Sequence, residues 1–372
     1  MKKSVVLLFT LISIALQNCS QEGIRPESSN QTIPIKVAVK LKVGEFLYEN
    51  IETTITVKGF DASNIEKWSA NVSYAGPSEN VIPLSNGFDH YTISIEKWGV
   101  SDSKTITAKQ LSDSRADGQS PVTFGLGGTV TFIKKPVITI DYAQTSATDY
   151  PVQTKTEYTY ASNGNLERIT SYSYSPETSS YTATQYSTFS FVENRVSKLR
   201  QYTAADDKLI LEDNYKYGVN GDLLQINETN YNSSLIGTMD LTFDVTLAKS
   251  KADYSYSNGS GFDYRFSYGL KNIVSDMTIN GGQTCNQGTY AYDRNINPFK
   301  HLGYVSFVLD NYSINNRLTE DVVFSGCSFP TLVPESYTYK YDDSGYPTEK
   351  TTHYKGRNEV TVTKYYYQVF PQ

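Results

Sequence analysis

Apolar and polar residues alternate with a period of two in many short stretches of this 372-residue chain. The clearest stretch runs from Ile35 to Val43 and reads Ile-Lys-Val-Ala-Val-Lys-Leu-Lys-Val. Side chains of an extended chain point alternately to two faces, so this pattern predicts a strand with one buried face. Comparable stretches at 52–57, 68–74, 91–98, 104–109 and 129–140 are separated by turn residues. We therefore predict an immunoglobulin-like β-sandwich for residues 33–142.

A different pattern recurs over residues 157–372: two tyrosines at positions i and i+2, followed by a turn. The clearest copies begin at Tyr158, Tyr215, Tyr290 and Tyr339, and weaker copies begin at Phe189, Leu241, Phe266 and Tyr312. Aromatic residues at i and i+2 share one face of a strand, where they suit a half-buried sheet surface. Asn-Gly or Ser-Gly follows three of the clear copies and tolerates the positive φ that tight hairpins require.

The spacing of these copies predicts the size of the sheet. They recur about every 26 residues, which is the length of two strands and two turns and is typical of a repeat architecture. Eight hairpins correspond to about 16 antiparallel strands in one meander, and a sheet of that size must curl, split or close on itself. The polar segment 143–156, which contains Pro151, is predicted to be a linker between the two domains.

The amino terminus predicts export and anchoring. Two lysines and the apolar run from Val5 to Leu16 are typical of a signal peptide, here residues 1–18. Leu16-Gln-Asn-Cys19 resembles a bacterial lipobox, in which the cysteine is lipidated, although Gln17 and Asn18 are larger than usual there. The alternative is an ordinary signal peptide with Cys19 incidental. Residues 19–32 are predicted to be a flexible tether, so we expect a lipid-anchored outer-membrane protein on the periplasmic face or the cell surface.

Net charge and cysteine content narrow the possible partners. The formal charge of −6 lacks the positive footprint that phosphate binding needs, so nucleic acid is not an expected partner. Cys285 and Cys327 are the remaining cysteines. In an oxidising compartment they are predicted to form a disulfide, and two buried free thiols are the alternative.

Few residues suggest chemistry. Glu-Lys-Trp occurs twice, ending at Trp68 and Trp98, and two interpretations remain open: both rings fill the sandwich core, or they form an exposed pair that stacks on sugars. The sequence contains no HExxH, GxSxG, Walker or GxGxxG motif. No catalytic residue, metal ligand or cofactor is predicted.

The repeat pattern Tyr-x-Tyr-Asp-x-x-Gly-x-Pro/Leu, matched best by Tyr339 to Pro347, resembles the tyrosine–aspartate repeats of Rhs-type bacterial surface proteins. With the lipoprotein signal and the stretch Asp-Arg-Asn-Ile-Asn-Pro-Phe-Lys at 293–300, the chain also resembles uncharacterised lipoproteins of Gram-negative bacteria whose C-terminal domain of unknown function has a porin-like fold. The resemblance covers roughly residues 155–370. It departs from Rhs proteins in having few copies and no self-cleaving shell. It implies a porin-like barrel or curled sheet and carries over no functional residues.

These features favour a non-catalytic binding or interaction protein of the cell envelope, with glycan or another surface polymer as its ligand, because tyrosine rings offer faces for stacking. One alternative is a polysaccharide hydrolase whose carboxylates are not identifiable from sequence, and another is a structural envelope component. Lys216 and Lys340 lie between paired tyrosines. If the tyrosines face inward, these lysines disfavour a lipid-facing outer surface. The oligomeric state is not predicted.

Overall fold

The computed structural model of the protein describes residues 32–76, 80–116, 121–144, 152–219, 221–244, 249–306, 312–325 and 333–371. Within them the strands form two four-stranded sheets and one closed barrel of 16 strands. The predicted all-β class is confirmed, and so is the closure that the porin-like resemblance implied.

The two small sheets come from the N-terminal part of the chain. In chain order their elements are β1 (Thr32–Val43), β2 (Phe46–Tyr48), β3 (Glu52–Phe60), β4 (Glu66–Ala75), β5 (Asn80–Ser85), β6 (His90–Lys97), β7 (Val100–Thr107), helix α1 (Ala108–Ala116) and β8 (Val122–Val130). Strand β1 pairs antiparallel with β2 and β5 and parallel with β8, while the second sheet has the order β4-β3-β6-β7.

The two sheets pack face to face. Alternate side chains of β1, from Ile35 to Val43, are buried together with those of β3 and β6 in one apolar cluster. A hydrogen bond of 3.0 Å from the backbone N–H of Val39 to the hydroxyl oxygen of Tyr74 joins β1 of one sheet to β4 of the other. The predicted N-terminal sandwich is therefore present as two facing sheets.

The barrel contains all the remaining strands. They are β9 (Phe132–Gln144), β10 (Val152–Tyr160), β11 (Leu166–Ser175), β12 (Ser180–Val192), β13 (Arg195–Thr203), β14 (Leu209–Tyr217), β15 (Leu223–Asn230), β16 (Leu235–Asp244), β17 (Lys249–Tyr256), β18 (Gly261–Gly269), β19 (Asn272–Asn280), β20 (Gln283–Tyr292), β21 (Arg317–Phe324), β22 (Pro334–Tyr341), β23 (Pro347–Tyr354) and β24 (Val360–Pro371). Each pairs antiparallel with its neighbours in sequence, and β24 pairs with β9 to close the ring.

The predicted domain boundary is wrong at β9. The sequence interpretation assigns residues 33–142 to the sandwich and 143–156 to a linker, yet β9 pairs with β24 along its whole length, from Phe132 opposite Pro371 to Gln144 opposite Val360. Only Thr131 separates β8 from β9, and β10 begins inside the supposed linker. Alternation predicts a strand but not its partner, which is why the error arose. Residues 145–151 lie outside the described part of the chain.

The paired aromatic residues face the barrel interior. On β22, Tyr339 and Tyr341 are half-buried while Lys340 between them is exposed. Seven of the eight predicted copies lie on strands that run toward the sandwich. The copy at Tyr312 is wrong, because this residue belongs to the connection between β20 and β21. The eighth strand of this direction, β24, carries Tyr365 and Tyr367 instead. Gln-Val-Phe follows this pair in place of turn residues, so the repeat pattern does not mark it.

The connection between β20 and β21 fills the barrel end that faces the sandwich. It contains a 3-10 helix, η1 (Pro298–Leu302), which ends at Gly303 in the left-handed conformation. The ring of Phe299 lies 6.5 Å from Tyr158 and 6.0 Å from Tyr365. The hydroxyl of Tyr215 donates to the carbonyl oxygen of Val305 at 2.9 Å. We refer to residues 293–306 and 312–316 as the inner connection.

The sandwich and the barrel share one apolar core. Ile296, Ile314 and Tyr346 of the barrel belong to the same buried cluster as the core of the sandwich. Trp98, at the turn between β6 and β7, is 2% exposed and lies against Gly345 of the β22–β23 turn. Because the burial is continuous, the two domains form one packed unit rather than two tethered ones.

Gly345→Ala tests this junction. Gly345 has a φ of 80°, and a methyl group there would overlap the indole ring of Trp98, whereas Gly356 has a φ of 67° and open space where its methyl group would lie. Both substitutions incur left-handed strain of roughly 1–2 kcal/mol. We expect Gly345→Ala to lower the free energy of unfolding by about 1–3 kcal/mol more than Gly356→Ala. Equal losses in urea denaturation would contradict the contact.

Candidate functional site

Seven tyrosines point outward from one side of the barrel wall. On β24, Tyr365 is 6% exposed and faces the interior, while the adjacent Tyr366 is 47% exposed and faces outward. Directly opposed residues in a sheet share a face, so the register places six further tyrosines on the outer side. The tyrosine face, as we define it, lies on the neighbouring strands β24 and β9–β13 and contains Tyr142, Tyr172, Tyr174, Tyr181, Tyr186, Tyr202 and Tyr366.

A lysine joins the rings on one side of this face. The ammonium of Lys155 lies 4.1 Å from the ring centre of Tyr172 and 4.7 Å from that of Tyr181. Glu157 accepts hydrogen bonds from Lys155 at 2.7 Å and from the Tyr172 hydroxyl at 2.6 Å. The hydrogen bond from Lys155 lowers the pKa of Glu157, and the bond to Glu157 raises the pKa of Tyr172. These contacts hold the two rings in fixed orientations.

On the other side of the tyrosine face, an arginine fixes the orientation of a ring. The guanidinium of Arg168 lies 3.7 Å from the ring centre of Tyr186, and the ring of Tyr202 stacks on Tyr186 at 4.9 Å and 19°. The Tyr186 hydroxyl donates to Asp207 at 2.9 Å. An exposed cation–π contact contributes about 0.5–1 kcal/mol. These contacts hold the rings of Tyr186 and Tyr202 in fixed orientations.

The barrel exterior differs in charge between two groups of strands, β24 with β9–β13 and β14–β23. On β24 and β9–β13 the outward basic residues include Lys155, Arg168, Arg195, Lys198, Arg200 and Lys364, and the acidic ones include Glu157 and Glu167. On β14–β23 acidic residues predominate, namely Glu212, Asp240, Asp253, Asp263, Asp321 and Glu349 against Lys216, Lys251, Arg265 and Lys340. No described side chain on β14–β23 is an outward tyrosine.

The distribution of charged side chains also shows whether the barrel exterior has the features of a lipid-facing surface. A lipid-facing barrel surface requires a continuous apolar band flanked by aromatic girdles. Here charged side chains occupy the outer positions of strands on both sides. Among the helices within the described ranges, none has the length and apolarity to cross a bilayer.

A second surface feature lies on the opposite side of the barrel. A cavity of about 370 Å³ opens over β16–β20, between Lys251, Arg265 and Gln287. Lys251 pairs with Asp253 at 2.5 Å and with Asp263 at 3.4 Å, and Arg265 pairs with Asp263 at 3.5 Å. Because its cations are already neutralised by neighbouring carboxylates, this cavity is a weaker candidate than the tyrosine face.

The two tryptophans predicted from the sequence do not form a ligand-stacking pair. Trp98 is 2% exposed and packs edge-on against Tyr48 at 5.4 Å. Trp68 lies on β4, half-buried, and stacks on Phe88 at 6.0 Å. The hypothesis of an exposed pair is wrong, because Trp98 sits in the shared core. The repeated tripeptide places one residue in a strand and the other in a turn.

The predicted cysteine chemistry falls partly outside the described residues. Cys19 and Cys327 lie there, so lipidation stays a prediction. Cys285 is disulfide-bonded, and its pairing with Cys327 likewise stays a prediction. Across the described ranges no three His, Cys, Asp or Glu side chains form a group suited to a metal ion.

One pair of carboxylates meets inside the barrel. Asp213 on β14 lies directly opposite Glu228 on β15, and both face inward. Asp213 is 4% exposed, and its Oδ1 has no hydrogen-bond partner among the residues that the structure describes. Burial, together with the charges of Glu228 and Glu212, raises the pKa of Asp213 to about 7. Sequence reasoning missed this pair because the two residues are distant in the chain and become neighbours only through the register.

Comparison with known proteins finds similarity in solved structures only. No protein-family model and no curated protein matches the sequence. A porin-like protein from Bacteroides uniformis has 12% identity, with 62% of this chain and 96% of that chain covered and a TM-score of 0.41. A porin-like protein from Bacteroides vulgatus has 10% identity, with 63% and 99% covered and a TM-score of 0.34.

The raised pKa of Asp213 predicts how stability depends on pH. The folded state retains a proton that the unfolded state releases near pH 3.8, so the free energy of unfolding falls as pH rises from about 4 to about 7, by up to about 4 kcal/mol. In Asp213→Asn this fall is expected to be much smaller. Urea denaturation of both proteins at about pH 5 and about pH 8 measures the difference. Parallel pH profiles would show that Asp213 ionises normally.

Proposed function

We propose that this protein is a non-catalytic, glycan-binding lipoprotein of the cell envelope, and that it binds its ligand on the tyrosine face. The observation that carries the proposal is that the seven outward tyrosines found among the described residues of the barrel strands are confined to six neighbouring strands. Sugar rings present apolar C–H faces, and aromatic side chains offer a matching flat surface with a polar hydroxyl at its edge.

Packing accounts for the inward tyrosines but not for the outward ones. Tyr215 and Tyr365 are buried, Tyr339 is half-buried, and all three contribute to the barrel interior. Tyr366, by contrast, is 47% exposed, so its ring is held at the surface without the full gain of burial. The other six outward tyrosines are half-buried, and a contiguous group of partly exposed aromatic rings favours an interaction site.

The proposed location combines a lipid anchor with a water-exposed barrel. Lipidation of Cys19 would tether the protein to the outer membrane, on the periplasmic face or at the cell surface, through residues 19–32. The charged exterior, with Lys216 and Lys340 exposed between inward tyrosines, supports a barrel that stands on the membrane rather than within it.

Two other functions have less support. A polysaccharide hydrolase requires two acids that face each other across a sugar, and Asp213 and Glu228 are the pair that comes nearest to this arrangement. Asp213 is buried, so a sugar would not reach it. A structural envelope component without a glycan ligand would leave the grouping of the outward tyrosines without a role.

The double substitution Tyr202→Ala, Tyr366→Ala tests the binding site at the two edges of the face. Each ring that stacks on a sugar contributes about 0.5–1.5 kcal/mol, so we expect the Kd for a bound polysaccharide to rise about tenfold. The measurement is calorimetric titration with the polysaccharide that the wild type selects from an immobilised panel.

The matched control is Val323→Ala on β21, which truncates a side chain that is 61% exposed on the other side of the barrel. Its Kd should equal that of the wild type. Failure of the wild type to retain any polysaccharide, or unchanged affinity in the double variant, would contradict the proposed function.

Cys19→Ser tests the anchor. The substituted protein has no thiol to acylate, so it should incorporate no labelled fatty acid in cells and leave the membrane fraction. Ser20→Ala, one residue further on, serves as the control and should keep the label. Retention of the fatty acid by Cys19→Ser would refute lipidation at this residue.

A further inference from the structure

We infer that the ligand of the tyrosine face is an acidic polysaccharide, carrying carboxylate or sulfate groups that contact Arg168 and Lys364 while its sugar rings lie on the tyrosines. This inference rests on the proposed function and narrows it to one class of glycan. It follows from the charge of the face, the geometry of Arg168 and the width of the surface.

The tyrosine face is basic on an acidic protein. The whole chain has a net charge of −6, yet the strands of this face carry six outward basic side chains against two acidic ones, with Asp207 and Glu212 adding two carboxylates at its edge. Lys198 and Arg200 share a single carboxylate, that of Glu212, at 3.1 and 2.7 Å. Among the described residues, Arg168 and Lys364 form no ion pair. A cluster of incompletely neutralised cations raises the local concentration of anions and favours their binding.

Arg168 is oriented to bind an oxyanion. Its guanidinium is stacked on Tyr186 at 3.7 Å, and its Nε donates to the Thr170 hydroxyl at 3.1 Å. These two contacts fix the plane of the guanidinium and leave its terminal N–H groups without a partner in the described part of the chain. A fixed arginine plane matches the two oxygens of a carboxylate or sulfate.

Aromatic rings and cations alternate across the face. Lys364 lies 5.3 Å from the ring centre of Tyr142, Lys155 lies between Tyr172 and Tyr181, and Arg168 covers Tyr186. A charged polysaccharide likewise presents an apolar ring face and an anionic group in each unit. The alternation therefore suits a polymer better than it suits a neutral glycan or an isolated anion.

The width of the face sets the length of the ligand. Neighbouring strands lie about 4.8 Å apart, so the distance from β24 to β13 is roughly 24 Å. Such a distance spans several sugars. We expect a monosaccharide to occupy only one of the ring–cation pairs and to bind far more weakly than a long chain.

The same face suits an anionic membrane less well. Hydrogen bonds from Tyr172 to Glu157 and from Tyr186 to Asp207 hold these hydroxyls against the barrel wall. Insertion into a lipid headgroup layer requires apolar side chains that project from the surface. The half-buried rings of this face offer stacking surface instead.

The experiment compares charged and neutral polymers on the full-length protein. The probes are polygalacturonate, dextran sulfate, neutral dextran and vesicles that contain an anionic phospholipid. We expect the wild type to bind one or both charged polymers at least tenfold more tightly than neutral dextran, with an affinity that falls as ionic strength rises. In Arg168→Glu, Lys364→Glu the Kd should rise by a further tenfold or more.

The control is Lys216→Glu, which reverses an exposed charge on β14 and should leave the affinity unchanged. Thermal unfolding of both variants confirms that they are folded. Equal binding of neutral and charged polymers, or no effect of the double reversal, overturns the inference while the proposed glycan binding stands. Binding to no polysaccharide overturns both. Binding to anionic vesicles but to no charged polymer assigns the face to membrane contact and also overturns the inference.

Discussion

The pairing of β24 with β9 closes the barrel and fixes the position of the sandwich beside it. Every other strand pair in the barrel joins neighbours in sequence, whereas this one joins Phe132 to Pro371 and Gln144 to Val360. Without it the meander would have two open edges with unpaired backbone groups. Because β9 follows β8 after a single residue, the same pairing also holds the barrel against the sandwich.

Closure then separates the tyrosines into two populations with different roles. Inside, the paired aromatic residues pack around the inner connection, and the Tyr215 hydroxyl is satisfied by the carbonyl of Val305. Outside, on the strands that flank the β24–β9 pair, tyrosines alternate with Lys155, Arg168 and Lys364. The strands that close the barrel therefore also carry the candidate binding surface.

Much of the fold was predictable from local pattern. The tyrosine pairs predicted about 16 strands because each pair marks one strand beside a turn, and alternation from Ile35 to Val43 predicted a half-buried strand. The same reasoning failed at Tyr312, where the i, i+2 pattern occurs in a segment that packs inside the barrel, at 5.5 Å from Tyr268. It also failed for Trp98, because exposure depends on what packs against a turn.

The strand periodicity, the approximate number of hairpins and the tyrosine-rich composition could be read from the sequence alone, since these depend on residues close together along the chain. Three features became visible only in the folded barrel: β9 belongs to it, Asp213 lies opposite Glu228, and the outward tyrosines gather on six neighbouring strands. Those outcomes depend on register and closure, which join residues far apart in sequence. The sequence carries no local signal for them, because a strand shows which of its faces is buried but not which strand lies beside it.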